Sequence, residues 1–446
     1  MFLPCLTCSY EVPYSLDHKF LFLGVFDMSN KTDTNLVLVA TDHGWDLVEH
    51  QVFPLVDRLD TPSGLVRVQI ARASLSNTQA QIMSRQRSAT SGRVLGHEAF
   101  GWVSEVSPLA QRWLDEQDRA LSVGDLVVIF PYRPCLGVDE GGAPLECHAC
   151  NFGRVEECSR LRAVGVEEDG VLANFCDFPP QMIHSVPDSM ANADLSWTTL
   201  LYVETVSQAL VAAQSDAVSG ARHICVVGRG PVQELTARVI ESVRFGWKFT
   251  SALSSLSETF DRQMLYAVLP SQDNEDTVHY VHRLDPSSLP RHPRAFDVIV
   301  ETWADPASLS DMFHALKPQG VLIRKSRPGR AVSLLRQAAP LLPVRVVEAP
   351  YGAFSSALAW MAEHPGALRH LDVDLHKMLV QASTPPDPSI QRVPIPSPYL
   401  ENNEGMGFPF TKGGIQAALE ADRRRETIGK IFIEIAKTPP VGKGEV

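Results

Sequence analysis

The chain has no apolar run long enough to cross a membrane. Its longest apolar stretch near the start, Phe20–Phe26, falls well short of the ~18 consecutive residues that a spanning helix requires. This stretch also lacks a basic segment before it and a clear small-residue cleavage site after it, so it is a poor secretory signal. We therefore expect a soluble, cytoplasmic protein without a membrane partner, in which residues 1–35 form an N-terminal extension.

Basic side chains are scarce relative to acidic ones. The 446 residues include 40 Lys and Arg against 52 Asp and Glu, which gives a formal net charge of -12. A nucleic-acid surface favours clustered Lys and Arg, because these side chains neutralise phosphates. The charge balance therefore argues against a nucleic-acid partner and favours a small-molecule substrate. The hydrophobic content of 44% is sufficient for two or three folded cores.

Cysteine is used sparingly, yet three of the eight cysteines lie close together in the segment CHACNFGRVEEC. Cys147 and Cys150 form a CxxC pair and Cys158 follows, a spacing that suits a tetrahedral zinc ion. The fourth ligand is either Cys135 or His148. We favour Cys135, because the turn-rich insertion LGVDEGGAPLE allows the chain to fold back. The alternative is a set of unrelated buried thiols.

The pattern of apolar residues is rich in strands at first and then alternates between strands and helices. This alternation predicts an α/β protein with a parallel, doubly wound sheet after a β-rich first half. The predicted helices are Val203–Ala213, Leu309–Leu316 and Gly414–Arg424. The predicted strands are Leu36–Ala40, Gly64–Ala71, Ala99–Val106, Asp125–Phe130, His223–Val227, Lys248–Leu253, Leu265–Leu269, Phe296–Glu301, Gly320–Arg324 and Ile431–Ile435.

A glycine turn follows the strand at His223–Val227. Gly228 and Gly230 supply the first two glycines of a GxGxxG pattern, whose backbone N–H groups can meet a pyrophosphate at a helix N-terminus. The third position is Gln233. The acidic residue expected about 20 residues further on, which would bind the ribose hydroxyls, is absent. Leu253 or a neighbour takes its place, and Ser254 could receive a 2'-phosphate, which favours NADP over NAD.

The order of these motifs resembles that of the zinc-type medium-chain dehydrogenase/reductase superfamily, which includes the alcohol, sorbitol and threonine dehydrogenases. The resemblance covers about residues 36–437. It implies a GroES-like catalytic domain built from both ends of the chain around a Rossmann domain. The residues that carry it are Leu95–Glu98 (LGHE), Gly124, Asp125, Cys147, Cys150, Cys158, Glu204, Gly228, Gly230 and Pro231.

The domain boundaries follow from this resemblance. We expect the catalytic domain at residues 36–200, with a structural zinc lobe at 135–158, and a Rossmann domain at 201–343. The chain then returns to the catalytic domain at 344–437 and ends in a tail at 438–446. The family usually places the first zinc-lobe cysteine where this chain has Pro144. Either Cys135 replaces it by way of the insertion, or the lobe is held by three thiolates and another group, or by no metal. Members of the family commonly form homodimers or homotetramers.

The resemblance also implies a catalytic zinc, and here the sequence departs from the family. His97 and Glu204 match two of the usual ligands, but Ser76 stands where a cysteine is expected. A neutral hydroxyl is a poorer zinc ligand than a thiolate. Gln79 likewise replaces an acidic residue. An oxygen-rich site of His97, Glu98 and Glu204 with water is the remaining way to hold a metal.

In the family, the hydroxyl matched by Thr78 starts a proton relay from the substrate oxygen. We therefore assign Thr78, His97 and Glu98 as candidate catalytic residues. The expected activity is hydride transfer between NAD(P) and a small alcohol or carbonyl compound. Changes at Ser76 and at Ala304, a usual glycine after the fourth strand, leave three alternatives. These are an NADPH reductase without catalytic zinc, a lyase, cyclase or isomerase that uses acid–base chemistry, and a catalytically silent subunit.

Overall fold

The computed structural model describes most of the chain from residue 34 to residue 436. The described residues are 34–57, 61, 63–85, 89–114, 119–135, 147–152, 154–191, 197–228, 230–245, 264–270, 279–284, 286–302, 306–325, 344–349, 351–368, 406–424 and 430–436. Among these residues no helix has the length and apolar character needed to span a membrane.

The strands of this part of the chain fall into two large sheets and two two-stranded sheets. In chain order they are β1 (Thr34–Thr41), β2 (Gly44–Gln51), β3 (Val66–Ser74), β4 (Ala99–Val106), β5 (Leu126–Ile129), β6 (Tyr132–Arg133), β7 (Arg162–Ala163), β8 (Phe175–Phe178), β9 (Ile183–Ser185), β10 (Ile224–Gly228), β11 (Met264–Pro270), β12 (His279–Leu284), β13 (Phe296–Glu301), β14 (Leu316–Arg324), β15 (Arg345–Glu348), β16 (Met406–Pro409) and β17 (Ile431–Glu434).

The helices lie mainly in the second half of the chain, and a 3-10 helix at Trp197–Tyr202 leads directly into the first long one. They are α1 (Asn77–Met83), α2 (His148–Asn151), α3 (Asp188–Ala191), α4 (Val203–Gln214), α5 (Asp216–Gly220), α6 (Gly230–Phe245), α7 (Pro306–Ala315), α8 (Phe354–Glu363) and α9 (Lys412–Arg424).

The seven-stranded sheet joins the two ends of the chain. Its strand order is β16-β17-β3-β4-β5-β9, and β8 also pairs with β3. β17 runs antiparallel to β3, with Ile433 opposite Ala73. The sheet is buried on the face that carries Val66, Val68 and Ile70, each 0% exposed. The C-terminal segment therefore completes the sheet that the N-terminal half begins.

The six-stranded sheet has the order β12-β11-β10-β13-β14-β15. From β10 to β15 the neighbours are parallel, and β10 is buried on both faces, as parallel strands between helices usually are. Ile224 and Val226 pack on one side and Cys225 on the other. The mixed α/β architecture confirms the predicted fold class.

One part of the doubly wound prediction needs correction. β11 and β12 form an antiparallel hairpin on the outer side of β10, with Met264 opposite Gly228. Antiparallel strands can be joined by a short turn, whereas parallel strands need a long crossover. The sheet is therefore mixed, and the predicted strand at Lys248–Leu253 lies outside the described residues. β15 also extends this sheet to Glu348, beyond the predicted domain end at 343.

Candidate active site and zinc lobe

Three segments bring the polar cleft residues to one edge of the seven-stranded sheet. β3 ends at Ser74, β4 starts directly after Glu98, and β17 starts directly after Lys430. Because β4 and β17 both pair antiparallel with β3, both begin where β3 ends. The backbone N–H of Ser74 donates to the carbonyl of Glu98 at 2.8 Å. Residues far apart in the sequence thus meet at this edge.

The turn before His97 depends on a glycine. Gly96 has φ of 91°, a backbone conformation that side chains with a Cβ rarely adopt. A Cβ at this position would also lie 2.9 Å from the backbone nitrogen of Leu172. The LGHE segment therefore places His97 through a backbone that favours glycine both conformationally and sterically.

Gly96→Ala is expected to destabilise the fold by about 1–3 kcal/mol, because it adds backbone strain and a steric clash. Gly92→Ala is the matched control, since Gly92 has φ of 83° but nothing lies within 4 Å of its Cβ position. Urea denaturation of both variants separates the two contributions. Equal losses of unfolding free energy would contradict a role for the contact with Leu172.

His97 is buried, with 5% exposure, and Gln79 orients it. The Nδ1 atom of His97 lies 2.9 Å from Oε1 of Gln79, a geometry in which Nδ1 carries the proton that it donates to this oxygen and Nε2 faces Glu204. Ser76 also donates from its hydroxyl to Oε1 of Gln79. Gln79 therefore supplies an acceptor to His97, and the Ser76 hydroxyl is committed to a hydrogen bond.

Glu98 forms an ion pair with Lys430. The Nζ atom of Lys430 lies 2.6 Å from Oε1 of Glu98 and also donates to the carbonyl of Leu201 at 2.7 Å. Burial alone would raise the pKa of Glu98, but Lys430 and His97 outweigh it and lower the pKa to about 2. Glu98 is therefore ionised across the physiological pH range.

Glu204 lies in the first turn of α4, beside the same cluster. Its Oε2 atom is 3.7 Å from Nε2 of His97. Burial, together with the charge of Glu98, raises the pKa of Glu204 well above its ordinary value. Tyr351 forms a hydrogen bond with Glu204, and the hydroxyl of Tyr132 is hydrogen-bonded to that of Tyr351. The pair thus combines a Glu98 whose pKa is lowered with a Glu204 whose pKa is raised.

The space next to this cluster is small. Its free volume is ≈ 10 Å³ between His97, Val128 and Phe354, which is about enough for one water molecule. A much larger cavity of ≈ 480 Å³ lies elsewhere, next to β1 and β2. The guanidinium of Arg67 in that cavity is paired with Asp177 and Glu105. We assign the chemistry to the smaller space, because the titratable cluster lies there.

The cysteine cluster has the geometry of a zinc site. The Sγ atoms of Cys135, Cys147, Cys150 and Cys158 all lie within 4.8 Å of one another. Cys150 Sγ is 3.8 Å from Cys135 Sγ and 3.7 Å from Cys147 Sγ. A tetrahedral ion with ~2.3 Å Zn–S bonds requires S···S separations of about 3.8 Å. The four thiols therefore fit zinc, and the fold brings Cys135 rather than His148 to the fourth position.

Backbone N–H groups support the thiolate form in this lobe. A hydrogen bond from the Cys150 backbone to the sulfur of Cys147 contributes most to lowering the pKa of Cys147 to about 6. The backbone of Cys135 donates to Cys158 Sγ at 3.4 Å. Burial and the neighbouring thiols raise the pKa of Cys150 in turn. One sulfur is therefore poised to ionise first, and a cation would balance the others.

The glycine turn sits at the carboxyl end of β10, where α6 begins at Gly230. A Cβ on Gly228 would lie 1.8 Å from the hydroxyl of Thr302, so this position has no room for a side chain. Gln233 is 1% exposed, and its amide nitrogen donates to the carbonyl of Val226 at 3.0 Å. The side chain at the third glycine position therefore ties the helix to the strand.

The helix start suits a phosphate group. The first turn of α6 carries no acidic residue, and its free backbone N–H groups point towards the carboxyl edge of the sheet. The residues present therefore fit the pyrophosphate part of a dinucleotide. Ser254, Leu253 and Ala304 lie outside the described residues, and so does the predicted second-strand contact to the ribose. Thr78 lies in α1, where its side chain is not described, and Pro231 lies in the first turn of α6.

Three residues at or near the site were not predicted from the sequence. Lys430 and Tyr351 reach Glu98 and Glu204 only through long-range pairing, and no local motif marks either. Lys325, at the end of β14, is 7% exposed and donates to the carbonyl of Thr205 at 3.2 Å. The one sequence signal for it is a charged pair, RK, at the end of an apolar strand.

Comparisons with known proteins agree with this architecture. Residues 62–188 match the model of the alcohol dehydrogenase GroES-like domain. The chain is 27% identical over 175 residues to an uncharacterized zinc-type alcohol dehydrogenase-like protein of Haemophilus influenzae, a match that spans 39% of this chain and 43% of that protein. It is 23% identical over 282 residues to L-threonine 3-dehydrogenase of Pyrococcus horikoshii, covering 62% of this chain and 71% of the relative.

Solved structures share the fold at low sequence identity. A short chain alcohol dehydrogenase, RspB, from Escherichia coli CFT073 in complex with NADH has a TM-score of 0.56 at 14% identity, covering 91% of this chain and 100% of that one. L-idonate 5-dehydrogenase of Escherichia coli has a TM-score of 0.55 at 16% identity, covering 91% and 99%.

The two sheets and the cysteine lobe define a protein with a GroES-like part and a Rossmann-type part. Together with the domain match and the relatives, they support the resemblance to the zinc-type medium-chain dehydrogenase/reductase superfamily.

Proposed function

We propose that this protein is an oxidoreductase that transfers a hydride between NAD(P) and a small alcohol or carbonyl compound. Several of the relatives that it matches are dehydrogenases by name, which favours this activity over a lyase, a cyclase, an isomerase or a silent subunit. The domain boundaries and the dimeric or tetrameric state remain predictions.

One structural relation carries the proposal. Helix α4 places Glu204 against His97, and the same helix packs along α6. Because α6 starts at the glycine turn after β10, the polar cluster and the proposed phosphate-binding end of α6 lie on two helices that pack against each other. Ligands of such sheets bind at the carboxyl ends of the strands. A dinucleotide held at Gly228 and Gly230 would therefore extend towards the cluster.

Within this site each residue has a definite task. Gly228, Gly230 and the start of α6 would hold the phosphates of the dinucleotide, which supplies or accepts the hydride when bound. The raised pKa of Glu204 suits a proton carrier next to His97, and Glu98 remains ionised through Lys430. Two carboxyl groups with separated pKa values are typical of acid–base pairs. We assign Glu204 as the proton donor and acceptor for the substrate oxygen, and Thr78 remains a candidate relay residue.

The substrate class follows from the relatives. L-threonine 3-dehydrogenase and L-galactonate-5-dehydrogenase appear among them, and both names describe small polar substrates with a secondary alcohol and a carboxylate. We therefore propose a small hydroxy acid or polyol as the substrate, or the corresponding carbonyl compound.

The first test is cofactor binding, which is measured by fluorescence titration with NADPH and with NADH. We expect both reduced cofactors to bind and NADPH to bind more tightly, as Ser254 predicts. A panel of polyols and hydroxy acids with the preferred cofactor then tests hydride transfer. The absence of any response to either cofactor at millimolar concentration would reject the redox function.

Gly228→Ala is expected to weaken cofactor binding at least tenfold, because the new methyl group would displace Thr302 and shift the turn that precedes α6. Gly220→Ala is the matched control, since nothing lies within 4 Å of that Cβ position. Fluorescence titration of both variants measures the effect, and circular dichroism checks that each is folded. Equal affinity in the two variants would remove the glycine turn from the cofactor site.

A further inference from the structure

The cleft cluster and the cysteine lobe differ in the ligands that they offer a metal. In the lobe, four thiols converge at S···S distances of 3.7 and 3.8 Å. In the cleft, ligand atoms of His97, Glu98 and Glu204 lie within 4.8 Å of one another. Geometry alone therefore permits a metal in either place. The chemistry of the donors separates them.

No thiol is present in the described cleft cluster. Ser76 occupies the end of the β3–α1 connection that faces the cluster, but its hydroxyl donates to Oε1 of Gln79. The same oxygen faces Nδ1 of His97. Turning the hydroxyl towards a metal would break this contact and provide only a neutral oxygen ligand, and Zn²⁺ prefers nitrogen and sulfur.

The charges in the cleft also oppose a divalent cation. The ammonium group of Lys430 lies 2.6 Å from Glu98, with side-chain exposures of 12% and 10%. Glu98, Glu204 and Lys430 carry at most one net negative charge together. A Zn²⁺ ion among them would leave a buried excess of positive charge, and uncompensated buried charge is costly. Gln79 adds no charge to offset it.

We propose that this chain binds one zinc ion, in the cysteine lobe, and that the His97–Glu98–Glu204 cluster works without a metal. The proposal deepens the proposed function, because it makes the protein's own acid–base groups responsible for the substrate oxygen. It does not require hydride transfer to be correct. Zinc content and cofactor binding are measured independently. The zinc proposal can therefore be rejected without rejecting the oxidoreductase function, and the reverse also holds.

Metal analysis of the purified full-length chain, loaded with zinc and then dialysed, tests this proposal. We expect about one zinc per chain in the wild type, and the same content in His97→Ala. Cys150→Ser should reduce the content to near zero. The gain-of-function variant Ser76→Cys/Gln79→Asp adds a thiolate and a carboxylate to the cleft, and we expect it to bind about two zinc ions.

Cobalt substitution locates the second ion. Thiolate-to-cobalt charge-transfer absorption should increase in Ser76→Cys/Gln79→Asp relative to the wild type, and His97→Ala in that background should abolish the increase. A wild-type content of about two, falling to one in His97→Ala, would overturn the proposal. A double variant that remains at one zinc would also overturn it, because the missing charges would then not be the reason. Both readouts remain available if Cys150→Ser fails to fold.

Discussion

Cys150→Ser is expected to release the lobe zinc and to lower the unfolding free energy by roughly 4–5 kcal/mol or more, because loss of a metal is among the mechanisms that give the largest effects of single substitutions. Cys150 is buried, and its sulfur contacts those of both Cys135 and Cys147. In the described part of the lobe, regular structure is limited to short helical turns. α2 spans only His148–Asn151, and a helix of one turn is not stable alone. Metal analysis measures the loss of zinc, and thermal unfolding measures the loss of stability.

Cys176→Ser is the matched control for this prediction. Cys176 is also buried, but it lies outside the lobe, and its thiol donates to the carbonyl of Gly170. A serine hydroxyl can make the same hydrogen bond, so we expect a loss below about 1.5 kcal/mol and an unchanged zinc content. A Cys150→Ser protein that keeps its zinc and its melting temperature would show that the lobe does not depend on the metal.

The fold could be predicted where local pattern and long-range pairing agree. The bounds predicted for β4 and β13 match the structure to the residue, because apolar runs between turn residues are local signals. The antiparallel direction of β11 could not be predicted, since strand direction depends on the connection and not on the strand itself. α8 was missed because its sequence follows an irregular, proline-containing segment.

The cleft could be predicted only in part, for a related reason. The motif LGHE and the match at Glu204 indicate His97, Glu98 and Glu204, and the structure brings the three together. The partners that set their protonation were not predictable. Lys430 and Glu98 are separated by 332 positions in the chain, and only the pairing of β17 with β3 brings them into contact. Spacing rules apply within a loop or helix and not across a sheet.

Lys325 is a buried lysine just beyond the end of β14. Its Nζ atom donates to Oγ1 of Thr236 at 2.7 Å and to the carbonyl of Thr205 at 3.2 Å. Both acceptors are neutral, and a fully buried lysine is normally paired with a carboxylate. Burial lowers the pKa of Lys325 to about 7, although the charges of Glu204 and Glu301 oppose this shift.

We expect Lys325 to make stability increase with pH above neutrality. Between pH 7 and the ordinary lysine value of 10.5, the unfolded chain binds a proton at this side chain and the folded chain does not. Unfolding free energy therefore rises with pH across this window, by up to ~1.4 kcal/mol per pH unit. The burial penalty is about 4 kcal/mol at pH 7 and falls by about 1.5 kcal/mol by pH 8.5. Well below pH 7 the burial penalty is fully present and constant, because both the folded and the unfolded chain then bind the proton.

Lys325→Met isolates this contribution, because methionine fills a similar volume without a charge. Urea denaturation at about pH 7.0, 7.5, 8.0 and 8.5 gives the unfolding free energy of both proteins. These pH values cover about the lower half of the range in which the unfolded chain is protonated at this side chain and the folded chain is not. The unfolding free energy of the wild type minus that of Lys325→Met should increase with pH, whatever its sign at about pH 7.0. Lys412→Met is the control, since Lys412 has 67% side-chain exposure, and its curve should run parallel to that of the wild type. Parallel curves for Lys325→Met as well would mean that the buried amine remains protonated in the folded protein.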